Sequence, residues 1–306
     1  DSFGAAIGIY RAAKTLNKKA YIVIDNPTSS IIPLMNTFSD NQDYEADMFV
    51  NNHEAKEIMD DNTLLVVVDT NKPSITQCED LLYMAKMIVV LDHHRQGSDT
   101  IRNSVLSYIE PYASSASEMV AEILQYFTEG IRIRNVEADS IYAGIMIDTD
   151  NFMQKTGVRT FEAAAFLRRC GADVTRVRKL FREDMNDYKA RGETIRNAEL
   201  FRGQFAISEC PSDYVDSPTV VGAQAANELL NIVGVKASFV LTEYKGVIYI
   251  SARAIDEVNV QIIMERMGGG GHLNIAGCQL ENTSVEEGII VLKRTLDKMI
   301  EEGEIS

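Results

Sequence analysis

Three short runs constrain this chain most: AYIVID (20–25), LLVVVD (64–69) and MIVVLD (87–92). Each is almost unbroken apolar sequence rich in β-branched residues, and each ends in aspartate. A strand exposed on one face alternates apolar with polar residues. A strand covered on both faces of a parallel sheet does not, and it needs helices as crossovers. Helical spacing appears where such crossovers belong. Phe3, Ile7, Tyr10 and Ala13 recur on one side of the opening segment, and Met119, Ile123 and Phe127 do so in SASEMVAEILQYF, where Ser115 and Glu118 predict a capping box. NVEADSIYAGIMI and RTFEAAAFLRRCG read as two further helices, the second stopped by Gly171. The first part is therefore expected to be an α/β domain built on a parallel sheet.

The grammar changes after EDMNDYKARGETIRNAE, a polar, helix-compatible stretch read as a connecting helix. GQFAISEC reads as a strand and VVGAQAANELLNIV as a helix. KASFVLTEYKGVIYISAR reads as two strands around a Lys245–Gly246 turn. NVQIIMERM and SVEEGIIVLKRTLDKMIEE read as helices, the latter with a capping box at Ser284 and Glu287. The expected organisation is an α/β domain over 1–185, a connector over 186–199 and a smaller α/β domain with a mixed sheet over 200–306. At 306 residues the chain is long enough for two cores.

In open α/β sheets, ligands gather at the carboxyl ends of the strands, so aspartates there converge on one crevice. Aspartate is also a common residue for leaving a strand, and Asp25, followed by Asn26 and Pro27, is read that way. Asp69 and Asp92 keep different company. Asp92 opens DHH, which holds two of the chain's four histidines, and GIMIDTDNF places Asp148 after an apolar helix. Carboxylates with imidazoles suit manganese, iron or zinc, and adjacent histidines can divide metal binding from acid–base work. The net charge of −15 excludes a broad nucleic-acid footprint, which requires a basic surface. It does not exclude an anionic substrate held by bound cations. Cys78, Cys170, Cys210 and Cys278 lack paired spacing and read as reduced thiols of an intracellular setting.

In this order, Asp-Ser opening a helix, Asp69, DHH and Gly-Ile-x-x-Asp-Thr, followed by GGGGH at 268–272, resemble the DHH phosphoesterase superfamily with its DHH-associated C-terminal domain. PYASSASEMV, RTFEAAAFLR and SARAIDEVNVQIIMERMGGGGHLNIAG are most similar to its GdpP-type, membrane-anchored cyclic di-AMP phosphodiesterases. The resemblance implies two divalent metal ions, most often manganese, and an active site in the cleft between the two domains. Asp1, Asp69, His93 and Asp148 would hold one ion, with Asp69 bridging to the other. Asp92 would orient His93, and His94 would face the reacting phosphate. Ser251, Arg253, Asn259, Gly269, Gly270, Gly271 and His272 would bind substrate.

The family's first motif is His-x-x-x-Asp-x-Asp, of which Asp1 matches the end. Its earlier His and Asp are therefore expected upstream, in a longer, membrane-anchored protein of which this is the cytoplasmic module. The implied partner is a cyclic dinucleotide, cleaved to linear pApA. Long nucleic acid is not expected, and a homodimer is compatible with the pattern. Two alternatives are an oligoribonuclease (nano-RNase) or RecJ-like exonuclease, and a catalytically inactive nucleotide sensor. Against the exonuclease stand the absence of Trp and the negative charge; against the sensor stand the intact acids and histidines. A related pyrophosphatase reading lacks the GGGGH element. The basic cluster Arg168, Arg169, Arg176, Arg178, Lys179 and Arg182, interspersed with acids, reads as solvated helix faces, and His53 as a surface residue.

Overall fold

Two of the three apolar runs form strands along nearly their whole length. Leu64–Val68 and Met87–Asp92 pair in parallel, and Met87–Asp92 pairs in parallel with Leu106–Ile109. The computed structural model describes residues 1–28, 30–182, 184–213, 215–255 and 258–305. They fall into two units, Asp1–Arg182 and Glu183–Ser306.

The first unit runs α1 (Ser2–Thr15), β1 (Ile22–Val23), α2 (Ile32–Ser39), β2 (Phe49–Val50), α3 (Asn52–Ile58), β3 (Leu64–Val68), α4 (Asp80–Met84), β4 (Met87–Asp92), β5 (Leu106–Ile109), α5 (Ala116–Phe127), α6 (Asn135–Asp148), α7 (Val158–Arg169) and α8 (Val174–Leu180). The second runs α9 (Met185–Arg196), β6 (Glu199–Phe201), β7 (Phe205–Cys210), α10 (Pro218–Leu229), β8 (Ala237–Tyr244), β9 (Val247–Ala254), α11 (Val260–Arg266), β10 (Gly270–Gly271), β11 (Ile275–Glu281) and α12 (Val285–Glu301).

Residues 20–25 depart from expectation. Only Ile22–Val23 is strand, and it pairs in parallel with β2 in a separate two-stranded sheet. A cavity of about 1110 Å³, lined among others by Phe3, Ile22, Val23, Leu65 and Val67, separates β1 from β3. Asp25 is structural, as read: its Oδ1 accepts from Asn52 N at 3.2 Å, at the start of α3. The Ser115 cap is half of the expected box. Ser115 Oγ accepts from Glu118 N, but the Glu118 carboxylate turns to Ser114 N and Oγ. The second unit's box at Ser284 and Glu287 has both halves.

The helices that carry the first unit's core also place its polar end. Ile7, Leu124, Ile141 and Ile145 are fully buried where α1 packs on α5 and α6. Glycine permits the approach at Gly144 on α6: a Cβ there would stand 2.1 Å from Ser117 Oγ and 3.1 Å from Asp1 Oδ1. Gly144→Ala should therefore overpack this corner, at about 1–3 kcal/mol, and push Asp1 from its place. Thermal melting and manganese titration should both register the change. An unaltered melting midpoint together with unaltered metal affinity would show that Ser117 yields without consequence.

The second unit is a six-stranded mixed sheet in the order β10-β11-β9-β8-β7-β6, in which only β7 and β8 pair in parallel. Lys245 and Gly246 close the β8–β9 hairpin with φ of 53° and 77°, the doubly left-handed turn that matches strand twist. Helix α9, expected to be a bare connector, packs against β7 and α10 as part of this unit.

Candidate metal centre

Strand ends and helix ends bring four side chains to one point in the first unit. β4 delivers His93 as it leaves the sheet. Asp69 follows β3 with its N–H still bonded to Leu91 O at 2.9 Å, but with φ +63°, a conformation that strains any residue carrying a side chain. Asp148 closes α6. Immediately beyond it Asp150, Asn151 and Phe152 all have positive φ, and Thr149 Oγ1 accepts from Phe152 N, a tight turn that fixes the helix end. Asp1 caps α1, and its carboxylate accepts from Ala116 N (2.6 Å) and Ser117 N (2.8 Å), the exposed amides at the start of α5. A carboxylate is favoured there by the helix dipole and by unfilled N–H groups. Ser117 Oγ adds a bond to Asp1 O.

His93 Nε2 lies 3.7 Å from Asp1 Oδ2, 3.4 Å from Asp69 Oδ1 and 3.2 Å from Asp148 Oδ2. The imidazole is only 7 % exposed, yet neither Nε2 nor Asp69 Oδ1 has an aligned hydrogen-bond partner among the described residues. Buried polar atoms are rarely left so. Three carboxylates converging on one ring nitrogen without a hydrogen bond is the arrangement a divalent cation satisfies. The oxygen and nitrogen donor set suits manganese or a neighbouring first-row metal. All four residues expected to hold one ion thus lie together.

Without a cation the cluster holds a proton. Burial works against protonation of His93, but the Asp148 and Asp69 carboxylates outweigh it and push the imidazole up to about 9. Burial likewise works against ionisation of Asp69, yet its contact with His93 and its bond from Ser2 Oγ (2.9 Å) hold it below the usual range. A metal must displace the His93 proton at neutral pH. Metal affinity should therefore rise with pH, by about tenfold per unit until near pH 9, with one proton released per ion. Manganese titration calorimetry in buffers of different ionisation enthalpy measures that proton. Uptake without proton release below pH 9 would remove His93 from the ligand set.

Asp92 corrects the expected assignment. It was expected to orient His93. Instead its Oδ1 meets His94 Nδ1 at 2.7 Å and accepts from His94 N at 3.2 Å, while its Oδ2 accepts from Asn71 Nδ2 at 2.5 Å. Asn71 Nδ2 also reaches His94 O at 3.3 Å. Fully buried Asp92 therefore fixes the ring of His94, whose side chain is 57 % exposed. The sequence reading missed Asn71 and Ser2 as supports.

The substrate-binding candidates lie in the second unit, and several of them also have structural roles. Asn259 is a helix cap: its Oδ1 accepts from Gln261 N at 3.0 Å. Gly269 and Gly271 are required by packing of the β10–β11 hairpin, where added Cβ atoms would meet Gly277 O at 2.2 Å and Ala276 Cα at 2.5 Å. Gly270 has open space around its Cα, and Gly269 lines a hollow together with Ser251. His272 is exposed at the turn, with its N–H bonded to Ile275 O. Ser251 and Arg253 share one face of β9. Arg253 Nη1 donates to Ala252 O, Nε is buried without a partner among the described residues, and burial pushes the guanidinium down. The remaining polar features are unremarkable: Arg176 pairs with Asp139 at 2.7 Å, and His53 is exposed.

Residues 1–145 match the DHH family, N-terminal domain, and residues 205–302 the DHHA1 domain. Over 309 residues the chain is 43 % identical to the cyclic-di-AMP phosphodiesterase GdpP of Bacillus subtilis (strain 168), covering 99 % of this chain and 46 % of that protein. It is 38 % identical to the cyclic-di-AMP phosphodiesterase PdeA of Listeria monocytogenes over 290 residues, 94 % of this chain and 44 % of that one. The chain thus spans under half the length of these relatives. In fold it is similar to an exopolyphosphatase-related protein from Bacteroides fragilis, with a TM-score of 0.81 at 21 % identity over 98 % of this chain and 88 % of that one. With a DHH domain followed by a DHHA1 domain, the chain belongs to the DHH phosphoesterase superfamily.

Proposed function

We propose that this chain is a metal-dependent phosphodiesterase that hydrolyses cyclic di-AMP to linear pApA. The observation that carries the reading is His93 Nε2, buried among three carboxylates with no aligned hydrogen-bond partner among the described residues, in a chain 43 % identical over 99 % of its length to a cyclic-di-AMP phosphodiesterase.

Asp1, Asp69, His93 and Asp148 would hold a divalent ion, manganese in this reading, and Asp69 would also be a ligand of a second. When bound, such ions would supply an activated water and charge neutralisation at the phosphate. The protein's own groups position and protonate. His94, held by Asp92 through Nδ1, presents its other nitrogen outward, where it hydrogen-bonds a phosphate oxygen or delivers a proton to the departing 3′-oxygen. One P–O3′ bond breaks and one P–O bond to water forms, leaving a 5′-phosphate and a 3′-hydroxyl. Arg253, Ser251 and Gly270 bind the remote part of the substrate. Among the described residues no helix is long and apolar enough to cross a membrane; membrane attachment is proposed only for a longer protein.

The test is manganese-dependent conversion of cyclic di-AMP to pApA, followed by chromatography. Hydrolysis of short linear oligonucleotides faster than the cyclic substrate would replace this reading with an oligoribonuclease.

A further inference from the structure

Strand β9 alternates strictly. Ile248, Ile250, Ala252 and Ala254 are buried in the second unit's main core, which leaves Tyr249, Ser251 and Arg253 on the opposite face. The register with β11 sets Gln279 directly beside Tyr249, Gly277 beside Ser251 and Ile275 beside Arg253. Gly277 puts no side chain on this face, so the sheet surface is bare between Ser251 and the glycine run. A hollow of about 440 Å³ opens there, lined by Thr219, Tyr249, Ser251, Gly269, Gly277 and Gln279. Two residues further along the same face stands Arg253, with its guanidinium Nε buried and unpartnered and no carboxylate paired with it among the described residues. The hollow thus has an aromatic ring and a primary amide on its wall and a glycine floor, and Arg253 stands outside its lining, further along the same face of β9.

We infer that this hollow is a base-reading subsite for one adenine nucleotide, with the base between Tyr249 and Gln279 and the phosphate toward Arg253. The span fits: Arg253 lies four strand steps from Tyr249, about 13 Å at about 3.3 Å per residue, comparable with the reach of a mononucleotide from base edge to phosphate. The chemistry fits as well. A glutamine amide offers a donor and an acceptor side by side, which matches N7 and the N6 amino group of adenine and mismatches N7 and O6 of guanine. An aromatic ring gives any base a stacking face. The inference rests on the proposed function only for the identity of the full substrate; the subsite itself is a claim about adenine nucleotides.

The 306-residue chain and its Gln279→Leu, Tyr249→Ala and Tyr249→Phe variants should be titrated with 5′-AMP and 5′-GMP, with no turnover required. In the unaltered chain AMP should bind more tightly than GMP. Gln279→Leu should weaken AMP about tenfold, the size of one lost hydrogen-bonded contact, and erase the preference. Tyr249→Ala should weaken both nucleotides, and Tyr249→Phe should restore them. Where cyclic di-AMP is hydrolysed, the loss in Gln279→Leu should fall on KM. Equal AMP and GMP affinities in the unaltered chain, or AMP affinity indifferent to Gln279→Leu, would overturn the subsite and leave the proposed reaction standing. Selective AMP binding in a chain that does not hydrolyse cyclic di-AMP would uphold the subsite and sink the reaction.

Discussion

Purified His93→Ala protein is expected to lose its metal and, with it, hydrolysis of cyclic di-AMP by on the order of a thousandfold or more. The imidazole is the one nitrogen toward which Asp1, Asp69 and Asp148 all converge, so removing it leaves three carboxylates with no nitrogen donor and strong mutual repulsion. His94→Ala is expected to behave differently. Its ring is mostly exposed and tied to Asp92, so metal content should remain while turnover falls by about 10²–10⁴-fold. Asp92→Ala should resemble His94→Ala, because Asp92 contacts that ring. Metal analysis of the three purified variants alongside kcat separates the roles. Full metal occupancy in His93→Ala would overturn the ligand assignment, and metal loss in Asp92→Ala would return Asp92 to the support of His93.

Asp69, His93 and Asp148 were legible as candidates because each sits where an apolar run stops, whereas Asp1 joined them only through the family resemblance. What the sequence obscured was direction. The resemblance assigns Asp92 to His93, yet strand alternation carried one step past β4 puts Asp92 and His94 on the same side and His93 on the other. Asn71 gave no such signal: a polar residue just past β3 reads as loop, and only the fold shows it buried against Asp92. The strain at Asp69 is also invisible in sequence, since a non-glycine residue at φ +63° is imposed by its surroundings.

The larger misreadings concern elements that tertiary context shortens or absorbs. Residues 20–25 carry strand composition but form two paired residues, because the chain turns away at Asp25 to bond with Asn52 and Gln77. The polar stretch around 185–196 looks self-sufficient as a helix, yet Ala190 and Thr194 on it are buried in the second unit. Its high charge hid a narrow apolar side. The glycine run was read as room for a ligand. Two of its members also answer to the backbone of β11, a steric demand that no composition reveals.

The roles proposed for the two units should be separable by substrate. Arg253 belongs to the second unit and the metal ligands to the first, and its guanidinium has a buried Nε with no partner among the described residues. A charged donor held in that state is worth most when an anion arrives, because burial has already removed its water. Arg253→Ala should therefore lower kcat/KM for cyclic di-AMP by about 10–150-fold, the loss of one charge-assisted contact. Part of that loss should fall on kcat, since binding energy remote from the reacting phosphate helps to position it. Bis-p-nitrophenyl phosphate offers the same kind of scissile bond without a nucleotide, so its manganese-dependent hydrolysis should change little in the variant. Parallel losses on both substrates would mean that Arg253 supports the fold or the metal centre, and the division between a hydrolytic unit and a nucleotide-holding unit would have to be given up.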